Sequence, residues 1–314
     1  MTRVAAVDLG TNSTRLLVAD VSDDHVEEVE RLLRITRLGE RVDVRRILLP
    51  SAIARVRSCL TDYRRRAEAL GAEAVLAVAT SAVRDAENGE AFLGEIEHGF
   101  GFSTRLLTGG EEAELTFRGV TSDRALPDGT LVVDVGGGST ELTVGGPHGV
   151  SFSTSLQIGC VRLTERFLAS DPPSAAEVAA CAEHVRSALP PLDVPGAIGV
   201  AGTVTTAAAL DLGLDAYDPV LIHGHRISRA SVEATLERLA ALPLAERREV
   251  AGLEPARAPV IVGGLVVLRE VLDAYGLDAI EASERDLLHG AVLAAAELTP
   301  LPEGPAPPGA FTAC

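Results

Sequence analysis

The sequence predicts an α/β protein built from two similar domains. Its length of 314 residues suits two domains of about 150 residues, each large enough to bury its own core. Short apolar strands alternate with helical stretches, a pattern typical of sheets that are at least partly parallel. One strand–turn–strand motif also occurs twice, which indicates two related domains rather than a solenoid of short repeats. We therefore expect a first domain over residues 1–124 and a second over residues 125–298.

The first predicted domain begins with β structure and continues with alternating helices and strands. Its strands are expected at residues 4–7, 16–21, 26–35, 73–79 and 103–107. Its helices are expected at residues 50–70 and 82–97 and from residue 111. Ser51 is the expected N-cap of the first helix.

The second predicted domain follows the turn signal Pro127-Asp128-Gly129. Its strands are expected at residues 131–135, 142–144, 150–155 and 197–200. Helices are expected after the third strand, after Gly202, and at residues 256–275 and 284–297. Residues 299–314 are rich in Pro and Gly, which predicts a flexible tail that cannot bury enough apolar surface to fold.

Composition limits both the chemistry and the partners. Hydrophobic residues make up 46% of the chain and the mean hydropathy is +0.22, values that exclude a disordered or fibrous protein. All 28 basic residues are Arg, so chemistry that depends on lysine, such as a Schiff base or a P-loop lysine, is excluded. With 45 acidic residues the formal net charge is −17, which predicts that the protein does not bind nucleic acid over a broad surface.

Targeting and redox signals favour a cytoplasmic protein without a membrane partner. Asp8 interrupts the first apolar run, so this run is not the apolar region of a signal peptide. No apolar stretch reaches the roughly 20 residues that a membrane span needs. The four cysteines are scattered and no pair has C-x-x-C spacing, so no disulfide framework is expected.

The repeated motif is the most informative feature of the sequence. DLGTNSTRLLV (8–18) and DVGGGSTELTV (134–144) align without gaps at an offset of 126 residues. Each turn offers backbone N–H groups and hydroxyls in one concavity, and Gly allows the close approach that a phosphate-binding nest requires. Asp8 and Asp134 lead the two turns and suit Mg²⁺, which binds through one or two carboxylates together with substrate phosphates. The alternative is a pair of ordinary hairpins in which Asp and Ser satisfy the turn backbone.

The two turns resemble the paired phosphate loops of the actin–sugar kinase–Hsp70 superfamily. Four further segments are similar to signature regions of the Ppx/GppA family, which comprises exopolyphosphatases and guanosine pentaphosphate phosphohydrolases. These segments are ATSAVRDAENGEAFL (79–93), LTGGEEAEL (107–115), LVVDVGGGSTEL (131–142) and LQIGCVRLTERF (156–167). The resemblance covers nearly the whole chain. It implies two ribonuclease-H-like domains around a central cleft, as in the short, two-domain members.

The resemblance implies a catalytic role for Glu112, the second Glu of the G-x-E-E-A segment. Glu112 would act as general base for the water that attacks the terminal phosphorus. Gly109 and Gly110 precede the predicted helix, so Glu111 and Glu112 lie in its first turn, where the alternative role is to complement the helix dipole and cap N–H groups. We expect that alternative role for Glu111. Glu114 stands where the family often has Arg, so one basic contact is expected to be missing.

The resemblance also implies the ligand-binding residues. Mg²⁺ would be bound by Asp8, Asp134 and Glu141, and phosphate by Asn12, Ser13, Arg84, Gly137, Gly138, Ser139 and Thr140. The planar guanidinium of Arg84 can bind phosphate through two parallel hydrogen bonds. Arg15 is a weaker candidate. For both arginines the alternative is a surface ion pair with a nearby acid.

Two further patterns leave alternatives open. Residues 31–66 contain eleven Arg and only three acidic residues. This segment could bind a long polyanion, or it could form a solvated helix face neutralised by acids from elsewhere. The Gly-containing stretches 201–206 and 262–264 are similar to loops that contact nucleotide in the wider superfamily, but close helix–strand packing is the preferred interpretation.

Together these observations favour a Mg²⁺-dependent exopolyphosphatase that releases terminal orthophosphate from inorganic polyphosphate. Hydrolysis of guanosine pentaphosphate (pppGpp) at its 5′ end, a reaction of the stringent response, is the alternative within the same chemistry. The alternatives from other classes are a non-catalytic sensor of polyphosphate or an alarmone, and a sugar kinase. The resemblance also allows a homodimer, which nothing in the residues requires.

Overall fold

The computed structural model describes residues 1–23 and 25–298. The chain divides into two compact units. The first unit comprises Met1–Arg124 together with residues 287–298, and the second comprises Ala125–Asp286. The flexible tail predicted for residues 299–314 lies outside the described residues.

The first unit is built on a five-stranded sheet with the order β3-β2-β1-β4-β5. The strands are β1 (Thr2–Leu9), β2 (Ser13–Ser22), β3 (His25–Ile35), β4 (Ala74–Ala79) and β5 (Ser103–Leu106). β1, β2 and β3 form an antiparallel meander, and β4 and β5 run parallel to β1. The parallel half of the sheet therefore begins at the strand that carries the first repeated turn.

Helices cover this sheet between its strands. They are α1 (Val42–Arg45), α2 (Pro50–Ala69), α3 (Ser81–Arg84), α4 (Gly89–Phe100) and α5 (Gly109–Val120). The predicted N-cap at Ser51 is wrong: α2 starts at Pro50, with Leu49 as the N-cap residue. Proline fits this first helical position because its missing N–H would have no partner there.

Both faces of the first sheet are buried, because successive residues of a strand point to opposite sides. Ala5 and Val7 belong to one apolar cluster, together with buried residues of α2 and α4. Val4 and Ala6 belong to another cluster on the opposite side. This double burial explains why β1 has an uninterrupted apolar run rather than an alternating pattern.

The second unit is built on a six-stranded sheet with the order β10-β11-β9-β6-β7-β8. The strands are β6 (Thr130–Val135), β7 (Thr140–Gly146), β8 (Gly149–Leu156), β9 (Ala197–Val200), β10 (Arg226–Ser228) and β11 (Ala279–Ala282). β6, β7 and β8 repeat the antiparallel meander, and β9 and β11 run parallel to β6. Apart from the antiparallel edge strand β10, the strand order is the same as in the first unit.

The helices of the second unit surround a single apolar cluster. They are α6 (Cys160–Phe167), α7 (Ala175–Ala188), α8 (Ala201–Asp211), α9 (Pro219–Ile222), α10 (Arg229–Ala241), α11 (Leu244–Arg247) and α12 (Ile261–Ala274). A Cβ on Gly263 would lie 2.8 Å from Thr164 Oγ1, and one on Gly264 would lie 2.5 Å from Thr203 Oγ1. Residues 262–264 are therefore closely packed, but against the helices α6 and α8 and not against a strand as we expected.

The last described helix, α13 (Leu287–Ala296), is part of the first unit. The sequence predicts that the second domain extends to residue 298, but the structure places α13 in the first unit. Leu288 and Val292 are buried in the same cluster as Val4 and Ala6 of β1, and α13 also contacts β2, β4 and α5. The physical reason is that the outer face of the first sheet needs an apolar cover, and α13 supplies it.

The predicted α/β class and the two related sheets are confirmed by this topology. The predicted strands of both meanders are present, each extended by one or a few residues. The short strands β10 and β11 were not predicted. Within the described residues, none of the helices combines the length and the apolar composition needed to cross a membrane.

Candidate functional site

The first repeated turn joins β1 to β2. Leu9 pairs with Thr14, so residues 10–13 form a four-residue turn. Gly10 N–H donates to the carbonyl oxygen of Ser13 over 3.0 Å, which closes the turn. A Cβ on Gly10 would lie 2.9 Å from that oxygen, so the closure requires glycine.

The second repeated turn joins β6 to β7 in the same way. Val135 pairs with Thr140, so residues 136–139 form the turn. A Cβ on Gly136 would lie 3.0 Å from the carbonyl oxygen of Ser139, the same constraint as at Gly10. The sequence repeat therefore corresponds to a repeated three-dimensional turn.

Neighbouring backbone fixes the orientation of the first turn. The carbonyl oxygen of Thr11 accepts from Gly39 N–H over 2.8 Å, and that of Asn12 accepts from Thr36 N–H and Arg37 N–H over 3.1 and 2.9 Å. In a trans peptide the N–H of the next residue points opposite to the carbonyl. The N–H groups of Asn12 and Ser13 therefore point away from residues 36–39.

The second turn is fixed by the start of α6. Its carbonyl oxygens at Gly136, Gly137 and Gly138 accept from backbone N–H groups of residues 159–162 over 2.8 to 3.3 Å. By the same peptide geometry, the N–H groups of Gly137, Gly138 and Ser139 point away from α6. Successive N–H groups with a common direction form a nest that suits an anion.

The carboxylate that leads the first turn is already neutralised. Asp8 and Arg15 are direct cross-strand partners, and Arg15 Nε donates to Asp8 Oδ2 over 2.8 Å. Asp8 is buried and Arg15 is nearly so, with exposed side-chain fractions of 6% and 11%. Arg15, for which a surface ion pair was the alternative role, thus makes an ion pair, but a buried one.

The carboxylate that leads the second turn lies opposite another carboxylate. Asp134 pairs with Glu141 across β6 and β7, and both residues are buried. Ser155 Oγ on β8 donates to Glu141 Oε1 over 2.6 Å. Directly opposed residues have Cβ atoms about 5 Å apart, and like charges there are unfavourable unless a cation joins them.

This pair of carboxylates fits Mg²⁺ better than it fits a metal held by protein ligands alone. Among the described residues there is no group of three or more His, Cys, Asp or Glu side chains that could hold a metal ion. Mg²⁺ is usually bound by one or two carboxylates and takes its other ligands from water and phosphate. Asp134 and Glu141 supply the hard oxygen donors that this mode of binding requires.

The predicted catalytic carboxylate lies at the start of α5. Glu112 is buried in the first turn of this helix. Arg84, the last residue of α3, donates from Nη1 to Glu112 Oε2 over 3.1 Å and to the carbonyl oxygen of Leu107 over 2.6 Å. The fold thus brings together two of the predicted site residues that are 28 positions apart in the chain.

Its neighbour Glu111 has the capping role that we expected. Glu111 accepts from the N–H and hydroxyl of Thr108, and the Thr108 hydroxyl accepts from Glu111 N–H, which is a complete capping box. The hydrogen bond from Thr108 N–H, with those from Arg105 and the Thr108 hydroxyl, lowers the pKa of Glu111 to about 2. The cap therefore stabilises the fold at neutral pH and is lost as the pH falls from the ordinary Glu range of about 4.3 towards 2.

Comparison with known proteins shows the family of the chain. The sequence matches the model of the Ppx/GppA phosphatase family over residues 17–298. The chain belongs to this family. It is 41% identical to Exopolyphosphatase 2 of Mycobacterium tuberculosis over 317 aligned positions, which cover 94% of this chain and 99% of the relative.

Solved structures of family members have the same fold. The crystal structure of an exopolyphosphatase-like protein is 37% identical, with a TM-score of 0.87 and coverage of 93% of this chain and 98% of that protein. The Ppx/GppA family member from Aquifex aeolicus is 31% identical, with a TM-score of 0.78 and coverage of 94% and 98%.

Two side chains that support the site were not singled out in the sequence. Arg162 on α6 donates from Nε to the carbonyl oxygen of Gly138 over 2.8 Å, and burial together with nearby Arg166 lowers its pKa. Ser155 orients Glu141 from the third strand of the meander. Arg162 lies in the Ppx/GppA signature segment 156–167, which is the signal that could have identified it.

The predicted site residues thus fall into two sets, one in each unit. In the first unit, Asn12 and Ser13 lie in the turn after Asp8, and Arg84 contacts Glu112. In the second unit, the predicted residues are contiguous in the β6–β7 hairpin: Asp134, Gly137, Gly138, Ser139, Thr140 and Glu141. The roles assigned to these residues in catalysis and ligand binding stay predictions.

Proposed function

We propose that this protein is an exopolyphosphatase, which hydrolyses the terminal phosphoanhydride bond of inorganic polyphosphate and releases orthophosphate. The similarity to Exopolyphosphatase 2 over nearly the full length of both chains supports this activity. The observation that carries the proposal is the buried carboxylate of Glu112, which Arg84 holds in the first turn of α5. A protein that only bound phosphate would not need a carboxylate there, because a negative charge repels the ligand.

In the proposed reaction Glu112 is the general base. Water attacks the terminal phosphorus while Glu112 accepts a proton from it, and the bond from phosphorus to the bridging oxygen breaks. The shortened chain leaves with the bridging oxygen and its electron pair. Phosphoryl transfer of this kind depends mainly on positioning and on neutralising charge.

The remaining predicted site residues would position the phosphates and neutralise their charge. Within the described residues, both hydrogen bonds of Arg84 come from Nη1, so Nε and Nη2 can bind phosphate oxygens. The aligned N–H groups of Gly137, Gly138 and Ser139 would bind further oxygens without any lysine.

We further propose that Asp134 and Glu141 hold Mg²⁺. When bound, this ion would neutralise charge on the phosphate oxygens. Asp8, the third predicted ligand, would contribute less, since Arg15 already neutralises it. A cytoplasmic location and a role in the stringent response remain predictions from the sequence.

Guanosine pentaphosphate is the alternative substrate. A relative from Vibrio vulnificus named guanosine-5′-triphosphate,3′-diphosphate pyrophosphatase is 30% identical, and the alignment covers 91% of this chain but only 58% of that protein. The higher identity and complete coverage of Exopolyphosphatase 2 favour polyphosphate.

The proposal is tested by orthophosphate release from polyphosphate with Mg²⁺. Glu112→Gln keeps the size of the side chain but removes the base, so kcat should fall by about 10²- to 10⁴-fold. The matched control is Glu111→Gln, which makes the same change one residue earlier and keeps a side chain that can complete the capping box. Its kcat should equal that of the wild type.

The outcomes separate the candidate functions. A wild type that releases phosphate faster from guanosine pentaphosphate than from polyphosphate supports the alternative substrate. Tight polyphosphate binding with no phosphate release indicates the non-catalytic sensor. A Glu112→Gln variant with wild-type kcat excludes Glu112 as the base.

A further inference from the structure

A short arginine segment lies between β3 and α2. We define it as residues 36–46. Its four arginines, Arg37, Arg41, Arg45 and Arg46, all have exposed side chains. The segment also contains Glu40 and Asp43, so four positive and two negative charges give it a formal charge of +2 in a chain whose net charge is −17.

The backbone of the arginine segment is held in an unfavourable conformation. The φ angles of Arg37, Arg41 and Arg46 are 51°, 58° and 58°, in the left-handed region that disfavours any residue with a Cβ. Five residues other than Gly have such angles among those described, and these three arginines are the majority. Glycine would fit each position with less strain, so stability does not account for arginine there. Strain of this kind is commonly kept where a side chain has a function.

The arginine segment is fixed against the first turn of the repeat. Three of its backbone N–H groups, at Thr36, Arg37 and Gly39, donate to carbonyl oxygens of the turn over 2.8 to 3.1 Å. A Cβ on Gly39 would lie 2.2 Å from Thr11 Cγ2, so the two segments are in close contact. The arginines are therefore held at a constant position relative to the predicted phosphate-binding residues Asn12 and Ser13.

The other arginines of residues 31–66 have a different role. Those of β3 and α2 mostly form ion pairs with carboxylates: Arg34 with Asp62, Arg55 with Glu40, Arg57 with Glu95, Arg64 with Glu68, and Arg66 with Glu30. Arg37, Arg45 and Arg46 form no ion pair with any of the described residues. The predicted solvated helix face is thus correct for most arginines of α2, whereas three of the four arginines of the arginine segment have no such partner in the described part of the chain.

We infer that the arginine segment binds the part of a polyphosphate chain that extends beyond its terminal phosphates. The inference rests on the proposed function, in which Asn12 and Ser13 lie near the end of the chain. A linear polyphosphate carries charge on every unit, so a chain whose end lies at the N–H groups of the first turn, and whose later units turn back over the arginine segment, can contact several arginines at once. A nucleotide or a short polyphosphate has too few phosphates to do so. The protein should therefore prefer long chains.

The test compares two triple variants with the same change in net charge. The first is Arg37→Gln/Arg45→Gln/Arg46→Gln. The control is Arg65→Gln/Arg238→Gln/Arg248→Gln, which removes three exposed arginines that form no ion pair with the described residues and lie outside the segment. Equilibrium binding of long-chain polyphosphate and of tripolyphosphate is measured in the Glu112→Gln background, so that turnover does not affect the result.

The first triple variant should bind long-chain polyphosphate about tenfold or more weakly than the control, with a shallower dependence of affinity on salt. Its affinity for tripolyphosphate should match that of the control. In the active background, KM for long chains should rise while kcat stays unchanged.

Each other result has a distinct meaning. Equal weakening for both lengths, or no difference from the control, overturns the inference and leaves the proposed function intact. A wild type that releases no phosphate, but whose binding depends on these arginines as expected, overturns the proposed function alone. Tighter binding of single-stranded nucleic acid than of long-chain polyphosphate also overturns the inference.

A second pair of variants separates binding from folding. Arg37→Gly and Arg46→Gly relieve the backbone strain while removing the charge. Their thermal unfolding midpoints should equal or exceed that of the wild type, while long-chain affinity falls. A lower midpoint with unchanged affinity would mean that these arginines serve the fold instead.

Discussion

The two repeated turns have the same backbone and different electrostatics. Each follows the first strand of an antiparallel meander, each begins with a glycine that lies against a carbonyl oxygen of the turn, and each has its carbonyls bonded to a neighbouring segment. The position opposite the leading aspartate differs. It is Arg15 in the first unit and Glu141 in the second, at equivalent places in the repeat.

This difference between Arg15 and Glu141 indicates that the two hairpins have different roles. A buried Asp–Arg pair is electrically balanced and needs no further ion, so the first hairpin can act as a rigid support for its turn. A buried Asp–Glu pair places two carboxylates opposite each other and is suited to a divalent cation. The duplicated hairpin would therefore serve phosphate binding in both units but metal binding mainly in the second.

The largest expected effect concerns the metal. Asp134→Asn and Glu141→Gln should each lower Mg²⁺-dependent kcat by about 100-fold or more, since charge neutralisation contributes several kcal/mol to phosphoryl transfer. Both variants should also lose the Mg²⁺-dependent rise in thermal midpoint. That rise corresponds to about 2.7 kcal/mol when Mg²⁺ is present at 100 times its Kd.

Asp8→Asn is the matched comparison in the first unit. This variant should retain the Mg²⁺-dependent rise in the midpoint. If Asp8→Asn loses the rise while Asp134→Asn keeps it, the division of roles between the two hairpins is reversed.

The next largest effect is on stability and concerns the first hairpin. Asp8→Asn or Arg15→Gln alone should lower the free energy of unfolding by about 3 kcal/mol, because each leaves the opposite charge buried without its partner. The double variant should recover much of that loss. Urea unfolding of all four proteins gives the coupling energy. A coupling energy near zero would show that the pair does not balance the hairpin.

The smallest expected effect is a difference in KM between variants of the two segments that hydrogen-bond to the turn carbonyls. A Cβ at Gly159 would lie 2.3 Å from backbone atoms of Gly137, whereas one at Gly39 would lie 2.2 Å from the methyl group of Thr11. The side chain of Thr11 can move its methyl group by changing rotamer, whereas the backbone of Gly137 cannot move so easily. Gly159→Ala should therefore raise KM for polyphosphate more than Gly39→Ala, with a stability cost of about 1–3 kcal/mol. Equal KM values would mean that the second turn tolerates displacement.

Much of this fold can be predicted from local sequence. The strands of both meanders and the two turns follow from apolar runs, glycine placement and the repeat itself. The facing pairs could also have been derived, since a four-residue turn closed at Leu9 and Thr14 places Asp8 opposite Arg15. The contact between Glu112 and Arg84 was not predictable, because it depends on how α3 and α5 pack.

Other features depend on tertiary structure alone. β10 and β11 have three and four residues, too few for a periodic pattern to emerge. The left-handed backbone of Arg37 and Arg46 carries no sequence signal, because arginine is not a residue typical of such angles. The sequence also does not predict that α13 packs on the first sheet, since an apolar helix does not specify which sheet it covers.

The position of α13 has a consequence for how the protein is made. All strands of the first unit have been synthesised by the time the ribosome reaches Arg124, but the face that includes Val4 and Ala6 lacks the cover of α13 until Leu288 and Val292 emerge. The second unit is continuous in sequence, so it can complete its core earlier. Translation that stops shortly before residue 287 would therefore release a chain in which the second unit is folded. The first unit of that chain would expose an apolar face of its sheet, which chaperones and proteases recognise.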